Sequence, residues 1–225
     1  MRKEIITGAF VRSLPILCSY LFVGMAYGIM METSGFAWYY ALLISCIVYT
    51  GAYQFVLITF LCSGVSFLTA ALTAFLMNSR QSFYSLTFLE DFKRMGQKKL
   101  LMIHTLTDET FAVNCTLAMP QKDKEDMMFL IALFSWVYWM CGTLLGSVAG
   151  RLIPFELEGI DFCMTALFVI IFIGQWESAK KHTPAIAGLL IGIICLFIFG
   201  EGSFMLPALL CTSLLLLIVQ RKERA

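Results

Sequence analysis

The chain is a succession of apolar runs of roughly membrane-spanning length, joined by short polar connections. A crossing needs about 20 predominantly apolar residues. Runs of that kind lie at Leu14 to Met31, Trp38 to Leu61, Val65 to Leu89, Phe129 to Ala149, Phe162 to Trp176, Ala185 to Phe199 and Phe204 to Val219. Of the 225 residues, 60% are hydrophobic and 14% charged, against about 25% charged in an average soluble domain. The chain therefore reads as an all-α, polytopic integral membrane helix bundle in the cell membrane. It forms one transmembrane domain over 1–225, with about seven transmembrane helices and six to eight allowed.

The third run carries the most informative polar residues. It begins as an ordinary apolar helix, then places Asn78-Ser79-Arg80-Gln81-Ser82 before resuming with Phe83, Tyr84, Leu86, Phe88 and Leu89. A soluble loop would not resume in this way. Arg80 stands roughly 23 Å along the run at about 1.5 Å per residue, within the span or near its inner boundary. A guanidinium near a span centre costs about 2.5–3.5 kcal/mol on insertion scales, so such residues face a bundle interior or an aqueous cavity. The alternative is that Arg80 snorkels to the headgroups and only marks the helix end. The width of the polar break exceeds what snorkelling needs.

The other runs carry packing signals. Pro15 sits at the start of the first, where a missing N–H is tolerated. Gly24 and Gly28 there, Gly142, Gly146 and Gly150 in the fifth helical stretch, and Gly188 with Gly192 are small residues at steps of four, which suit close helix contact in lipid. The second run opens on Trp38, Tyr39 and Tyr40 and carries Gln54 near its centre, a side chain that must find partners if buried. Leu100 to Met119 has His104-Thr105-Leu106-Thr107-Asp108-Glu109-Thr110 at its middle, too polar for a lipid-facing span. It reads as a broken or non-spanning segment at 100–119. If it were helical, His104 and Asp108 would share a face and permit a proton relay. Otherwise Thr107 and Asp108 cap a following turn, and His104 is interfacial without a role.

The connections set the topology. Glu90 to Lys99 is the most basic loop, Pro120 to Asp126 is a charged loop, and Arg151 to Asp161 and Glu177 to Thr183 join later spans. Basic residues favour the cytoplasmic side, which suits Lys93 to Lys99, Lys180-Lys181 and the C-terminal Arg221-Lys222-Glu223-Arg224. Seven crossings put Arg2, Lys3 and Arg12 outside, and eight put the Lys93 to Lys99 loop outside. Six crossings, with Leu14 to Met31 folded as a re-entrant or broken hairpin, obey the rule throughout.

Several function classes drop out. The net charge is +1, and no basic tract is long enough to follow nucleic acid. The eight cysteines are scattered without a CxxC pair and read as small buried hydrophobes, so no metal site is expected. No glycine loop that cradles a phosphate is present, so no cofactor is implied. An intramembrane hydrolase lacks a GxSxG-like turn, and the chain reads as a non-enzyme. The N-terminal apolar run lacks a small-residue cleavage site and reads as retained.

Four motifs in order meet a known family. They are the glycine-spaced first helix with Pro15, Gly24 and Gly28; Gly51-Ala52-Tyr53-Gln54-Phe55; Asn78-Ser79-Arg80 with Tyr84; and Thr107-Asp108-Glu109-Thr110-Phe111. Asp161-Phe162 with Ala166, Leu167 and Phe168 is similar to a later element. Over nearly its whole length the chain resembles the large subunit of AzlC-type branched-chain amino acid exporters. The resemblance implies a secondary exporter of hydrophobic amino acids that works with a small hydrophobic membrane subunit of the AzlD type, and Asp108 and Glu109 leave proton coupling open to it. Gln54, Asn78, Arg80, Tyr84, Asp108 and Glu109 are then the candidate substrate-binding residues, and Gly24, Gly28, Gly142, Gly146 and Gly150 the packing residues. Gln81 stands where the family often has a histidine, which leaves no titrating group there. The other reading is an accessory or structural membrane subunit without its own substrate path.

Overall fold

The computed structural model describes residues 3–152, 169, 172, 173, 176, 177, 182–200, 204, 207, 208, 210–212, 214 and 215, without the side chains of Arg80, Ser82 and Phe83. The expected runs Phe162 to Trp176 and Phe204 to Val219 fall largely outside these residues, and the Asp161 to Phe168 motif, Lys180-Lys181 and the C-terminal Arg221 to Arg224 fall wholly outside them. Secondary structure among the described residues is helical throughout. They divide into two compact units, Met1–Cys62 with Arg80–Leu157, and Ser63–Ser79 with Glu158–Ala225.

The first unit is built on two long helices, α1 (Lys3–Thr33) and α8 (Gln121–Leu152). Both are long and apolar enough to cross a bilayer. Helix α1 starts well before Leu14, so Pro15 lies inside it and not at its start. A proline there removes one ladder hydrogen bond, which spanning helices tolerate when their neighbours compensate. The helix is continuous, which overturns the hairpin arrangement of Leu14 to Met31. Helix α8 likewise absorbs Gln121 to Asp126 and Arg151, expected as loops.

Glycines set the approach of these two helices. A Cβ on Gly24 would lie 3.2 Å from the Cα of Gly142, one on Gly28 would lie 2.6 Å from the Ser147 nitrogen, and one on Gly146 would lie 2.6 Å from the Met25 Cα. Those neighbours are backbone atoms, which cannot move aside singly. The close partner of the stripe is thus inside this chain. Gly8 meets Met127 near one end, and Glu32 accepts from Arg151 Nε at 2.6 Å near the other, so α1 and α8 run parallel.

Two interrupted elements fill the space against this pair. The run Trp38 to Leu61, expected as one span, is divided into α2 (Trp38–Ile47) and α3 (Gly51–Ser63). Helix α2 leaves the C-terminal end of α1 and descends until Tyr49 meets Tyr20. Helix α3 then turns back. Gln54 reaches Ser45 across the break, and Phe55 packs on Tyr27, two turns above Tyr20.

Helix α4 (Phe67–Thr87) carries the Asn78 to Ser82 stretch without interruption. The basic loop Glu90 to Lys99 is instead mostly helical, as α5 (Leu89–Arg94) and the start of α6 (Lys98–His104). Gln121 and Lys124 of α8 donate to Asp91, the latter at 2.8 Å. Burial works against the Asp91 charge, but these bonds and the charges of Lys124 and Arg94 outweigh it and hold the carboxyl below its ordinary range.

Helix α6 follows α8 inward, from the Lys98–Asp126 ion pair at 2.9 Å to the ring of His104 beside Trp136. Helix α7 (Asp108–Cys115) returns, because the chain must reach Gln121 within a few residues. The segment expected to be broken or non-spanning at 100–119 is broken at 105–107. It enters and leaves at one end of α8, opposite to the end served by α2 and α3.

In the second unit, on α9 (Thr183–Phe199), a Cβ added to Gly188 would lie 3.6 Å from the Thr212 methyl, whereas one added to Gly192 would meet nothing within 4 Å among the described residues. The expected close neighbour at Gly192 is therefore not found there. Outward faces are apolar, with Phe22, Phe67, Phe75 and Phe197 more than 70% exposed, while Ser45, Gln54, Thr110, Asn114, Ser135 and Thr143 are buried. That inversion suits lipid, which leaves no hydrophobic drive to hide apolar groups. It also explains the cysteines. Cys18, Cys62, Cys115, Cys141 and Cys211 are exposed and Cys46 half-buried, so only Cys195 among those described is the buried hydrophobe expected.

Candidate functional site

The tips of the two interrupted elements meet beside the middle of α1 and α8. At the first tip Tyr49 has φ +43°, a left-handed conformation that costs a bulky residue about 1–3 kcal/mol. Its ring is buried against Tyr20 and His104, with centroids 6.4 and 6.0 Å away. The break frees the carbonyls at the end of α2. One of them, on Cys46, accepts from His104 Nε2 at 2.9 Å. A carbonyl only accepts, so the Nε2 nitrogen carries the hydrogen. His104 thus caps a helix end across the two elements, and the four-residue relay with Asp108 is overturned because α6 ends between them.

The second tip is ordered by its own side chains. Thr107 is the N-cap of α7, its hydroxyl accepting from the Thr110 backbone N–H while the Thr110 hydroxyl accepts from the Thr107 N–H. This reciprocal capping satisfies two donors that a helix start leaves open. Tyr20 reaches the tip from α1. Its hydroxyl lies 2.7 Å from Thr107 Oγ1 and donates to Glu109 Oε2 at 2.8 Å. The Tyr20 ring meets the edge of Trp139 at 5.4 Å, and Trp139 also stacks with Tyr27 at 6.5 Å.

A second polar group lies further along α1 and α8. Gln54 Nε2 donates to Ser45 Oγ at 3.0 Å, and Ser45 shares a 2.8 Å hydrogen bond with Thr143. The Gln54 oxygen and the Tyr27 hydroxyl are both buried, and they are polar neighbours of one another. Trp139 packs between the two groups, its ring resting on Gly51, where an added Cβ would sit 3.1 Å away.

The six candidate residues are distributed unevenly over this arrangement. Asp108 and Glu109 form the first turn of α7. Tyr84, near the end of α4, stacks on Phe111 of α7 at 4.5 Å and so stands beside the same tip. Gln54 belongs to the other polar group. Arg80 stands four residues before Tyr84 in α4, with its side chain outside the described residues. Asn78 is half-buried in α4, in the portion that belongs to the second unit. Sequence reading passed over Tyr20, Ser45, Tyr49, Trp139 and Thr143. A lone hydroxyl or indole in an apolar run gives no periodic signal, and only the Tyr49-Thr50-Gly51 step offered a cue to the break.

Comparison with known proteins gives a coherent set of relatives. A family profile described as AzlC protein matches residues 15–153. The branched-chain amino acid transport protein AzlC of Bacillus subtilis is 36% identical over 95% of this chain and 84% of its own length. An uncharacterized membrane protein of Haemophilus influenzae is 34% identical over 95% of this chain and 88% of its own. The inner membrane protein YgaZ of Escherichia coli is 31% identical over 92% and 87%. No solved structure matches. With the profile covering most of the two-tip unit and relatives aligned nearly end to end, this multi-pass membrane protein belongs to the AzlC family.

Proposed function

We propose that the chain is the transporting subunit of an exporter of branched-chain amino acids, a single domain over 1–225 that works with a small hydrophobic AzlD-type subunit. The observation that carries this reading is the meeting of two interrupted helical elements, entered from opposite ends, at polar side chains beside α1 and α8. Irregular backbone at membrane depth is tolerated where it lines a cavity or is buried in protein, and broken helices are how many transporters build substrate sites. The name of the Bacillus subtilis relative supports the substrate class.

In this reading Arg80 takes the carboxylate of the amino acid through its planar fork. Asp108 and Glu109 take the ammonium, and are the groups through which export is coupled to protons. Gln54, Asn78 and Tyr84 supply further polar contacts, and the apolar walls take the branched side chain.

The topology follows. With α2–α3 and α6–α7 as opposed re-entrant pairs, the crossings up to Leu152 are α1, α4 and α8, and the three apolar runs that the sequence alone offers after it bring the count to six. These six, the low end of the expected range, put the N-terminus, Lys93 to Lys99, Lys180-Lys181 and the C-terminus all in the cytoplasm, as charge bias requires.

The test is efflux. Cells loaded with a leucine-containing dipeptide and expressing this chain with its small subunit should release leucine faster, and tolerate the dipeptide better, than cells lacking the chain. Equal release and equal tolerance would overturn the substrate class.

A further inference from the structure

Hydrogen-bond polarity at the second tip is fixed by counting protons. The Tyr20 hydroxyl has one hydrogen, and an ionised Glu109 can only accept, so that hydrogen goes to Oε2. Thr107 must then donate to Tyr20 across their 2.7 Å contact. The single hydrogen of the Thr110 hydroxyl has Thr107 Oγ1 at 3.2 Å and the Thr105 and Thr107 carbonyls at 3.4 and 3.2 Å as its acceptors. With Glu109 ionised, the chain Thr107 to Tyr20 to Glu109 therefore runs in one direction. It ends on one oxygen of a carboxylate whose residue is exposed, while the Tyr20 ring that delivers it is 6% exposed and wedged against Trp139 and Tyr49.

We propose that Tyr20 is a positioning residue: by holding Oε2 of Glu109 it turns Oε1 toward the ammonium group of the transported amino acid. The inference rests on the reading of Glu109 as an ammonium ligand and adds a residue on another helix that sets its aim. Glu109 alone has rotatable bonds enough to point its carboxylate elsewhere. A charge-assisted bond from a rigid, packed phenol removes that freedom before substrate arrives, which is where preorganisation gains affinity. Tyr20 also ties the tip to α1, the helix that packs closely along α8.

The test compares two ligands that differ only in the group at issue. Inside-out membrane vesicles carrying the full chain and its small subunit are assayed for uptake of L-leucine, and for its inhibition by 2-hydroxy-4-methylpentanoate, which has the carboxylate and side chain but a hydroxyl for the ammonium. Tyr20→Phe keeps the ring and its packing. It should raise the half-saturation concentration for leucine about 10-fold, as expected for a lost hydrogen bond to a charged group, and leave inhibition by the hydroxy acid unchanged. In a Glu109→Gln background the same substitution should add less than about twofold, since coupled residues are not additive. Equal weakening of both ligands, no weakening of either, or additive effects would overturn the proposal. Half-saturation and inhibition are concentrations, independent of how much protein is inserted, so the comparison of the two ligands holds for Tyr20→Phe at reduced level as well. Absence of leucine uptake by the unaltered protein would instead remove the proposed function itself.

Discussion

At the scale of single residues, the strained backbone of Tyr49 lies at one helix break and the acidic residues Asp108 and Glu109 lie at the other. Tyr49 holds a left-handed backbone where glycine would be easier, and its burial against Tyr20 and His104 offsets that cost. Arg80 is the residue whose replacement separates readings best. Arg80→Lys keeps the charge and the reach to an interface, so a snorkelling role predicts normal export. A clamp on a carboxylate predicts failure at normal protein level, because an ammonium cannot form the bidentate fork and a buried partner left unpaired costs about 3–5 kcal/mol. Export measured beside the amount of assembled protein distinguishes the two, and full activity of Arg80→Lys would remove the clamp. The polar residues at 78–84 and 107–111 were legible in the sequence because charge in an apolar setting is rare. Tyr20 was not, since a phenol in a span is as often packing as function.

At the scale of elements, apolarity measures contact with lipid or core but not direction of travel. The run Trp38 to Leu61 has a spanning length and no charge, so nothing in its composition told a crossing from a pair that goes in and returns; the bond from Gln54 back to Ser45 shows that the chain doubles back there. Leu100 to Met119 announced its break through its own polarity, and Thr107 capping at the break is the local chemistry its sequence offered. The glycine stripe was legible as a close-contact face, while its partner became clear only when α1 was seen beside α8. That contact gives a direct prediction. Gly146→Ala places a methyl group 2.6 Å from the Met25 Cα, so α1 and α8 must separate, at a cost of about 1–3 kcal/mol for overpacking. Thermal unfolding in detergent should fall for Gly146→Ala and not for Gly192→Ala, where the added methyl meets nothing within 4 Å among the described residues. Equal transitions for the two would remove the stripe from the packing.

At the scale of the whole molecule, the proposed arrangement resolves a conflict between charge and span count. Seven crossings, taken from apolar runs alone, leave the basic N-terminus outside. Parallel α1 and α8 require an odd number of crossings between them, and two returning pairs leave α4 to supply it. The basic segments then fall on one side. The consequence is testable in a background without native cysteines. Single cysteines at Ser34, before α2, and Ser63, at the end of α3, should react with a membrane-impermeant maleimide from the same, outer side. Cysteines at Gln97, before α6, and Ala118, after α7, should react only from the cytoplasmic side. All four positions are exposed, so failure to label reports the membrane and not burial. If Trp38 to Leu61 crossed the bilayer, Ser34→Cys and Ser63→Cys would label from opposite sides. If Leu100 to Met119 crossed, Gln97→Cys and Ala118→Cys would do so. Labelling of either pair from opposite sides would break the parity with α1 and α8 unless a second element also crossed. The six-crossing topology, and the meeting of two opposed tips on which the transport proposal stands, would then fall together.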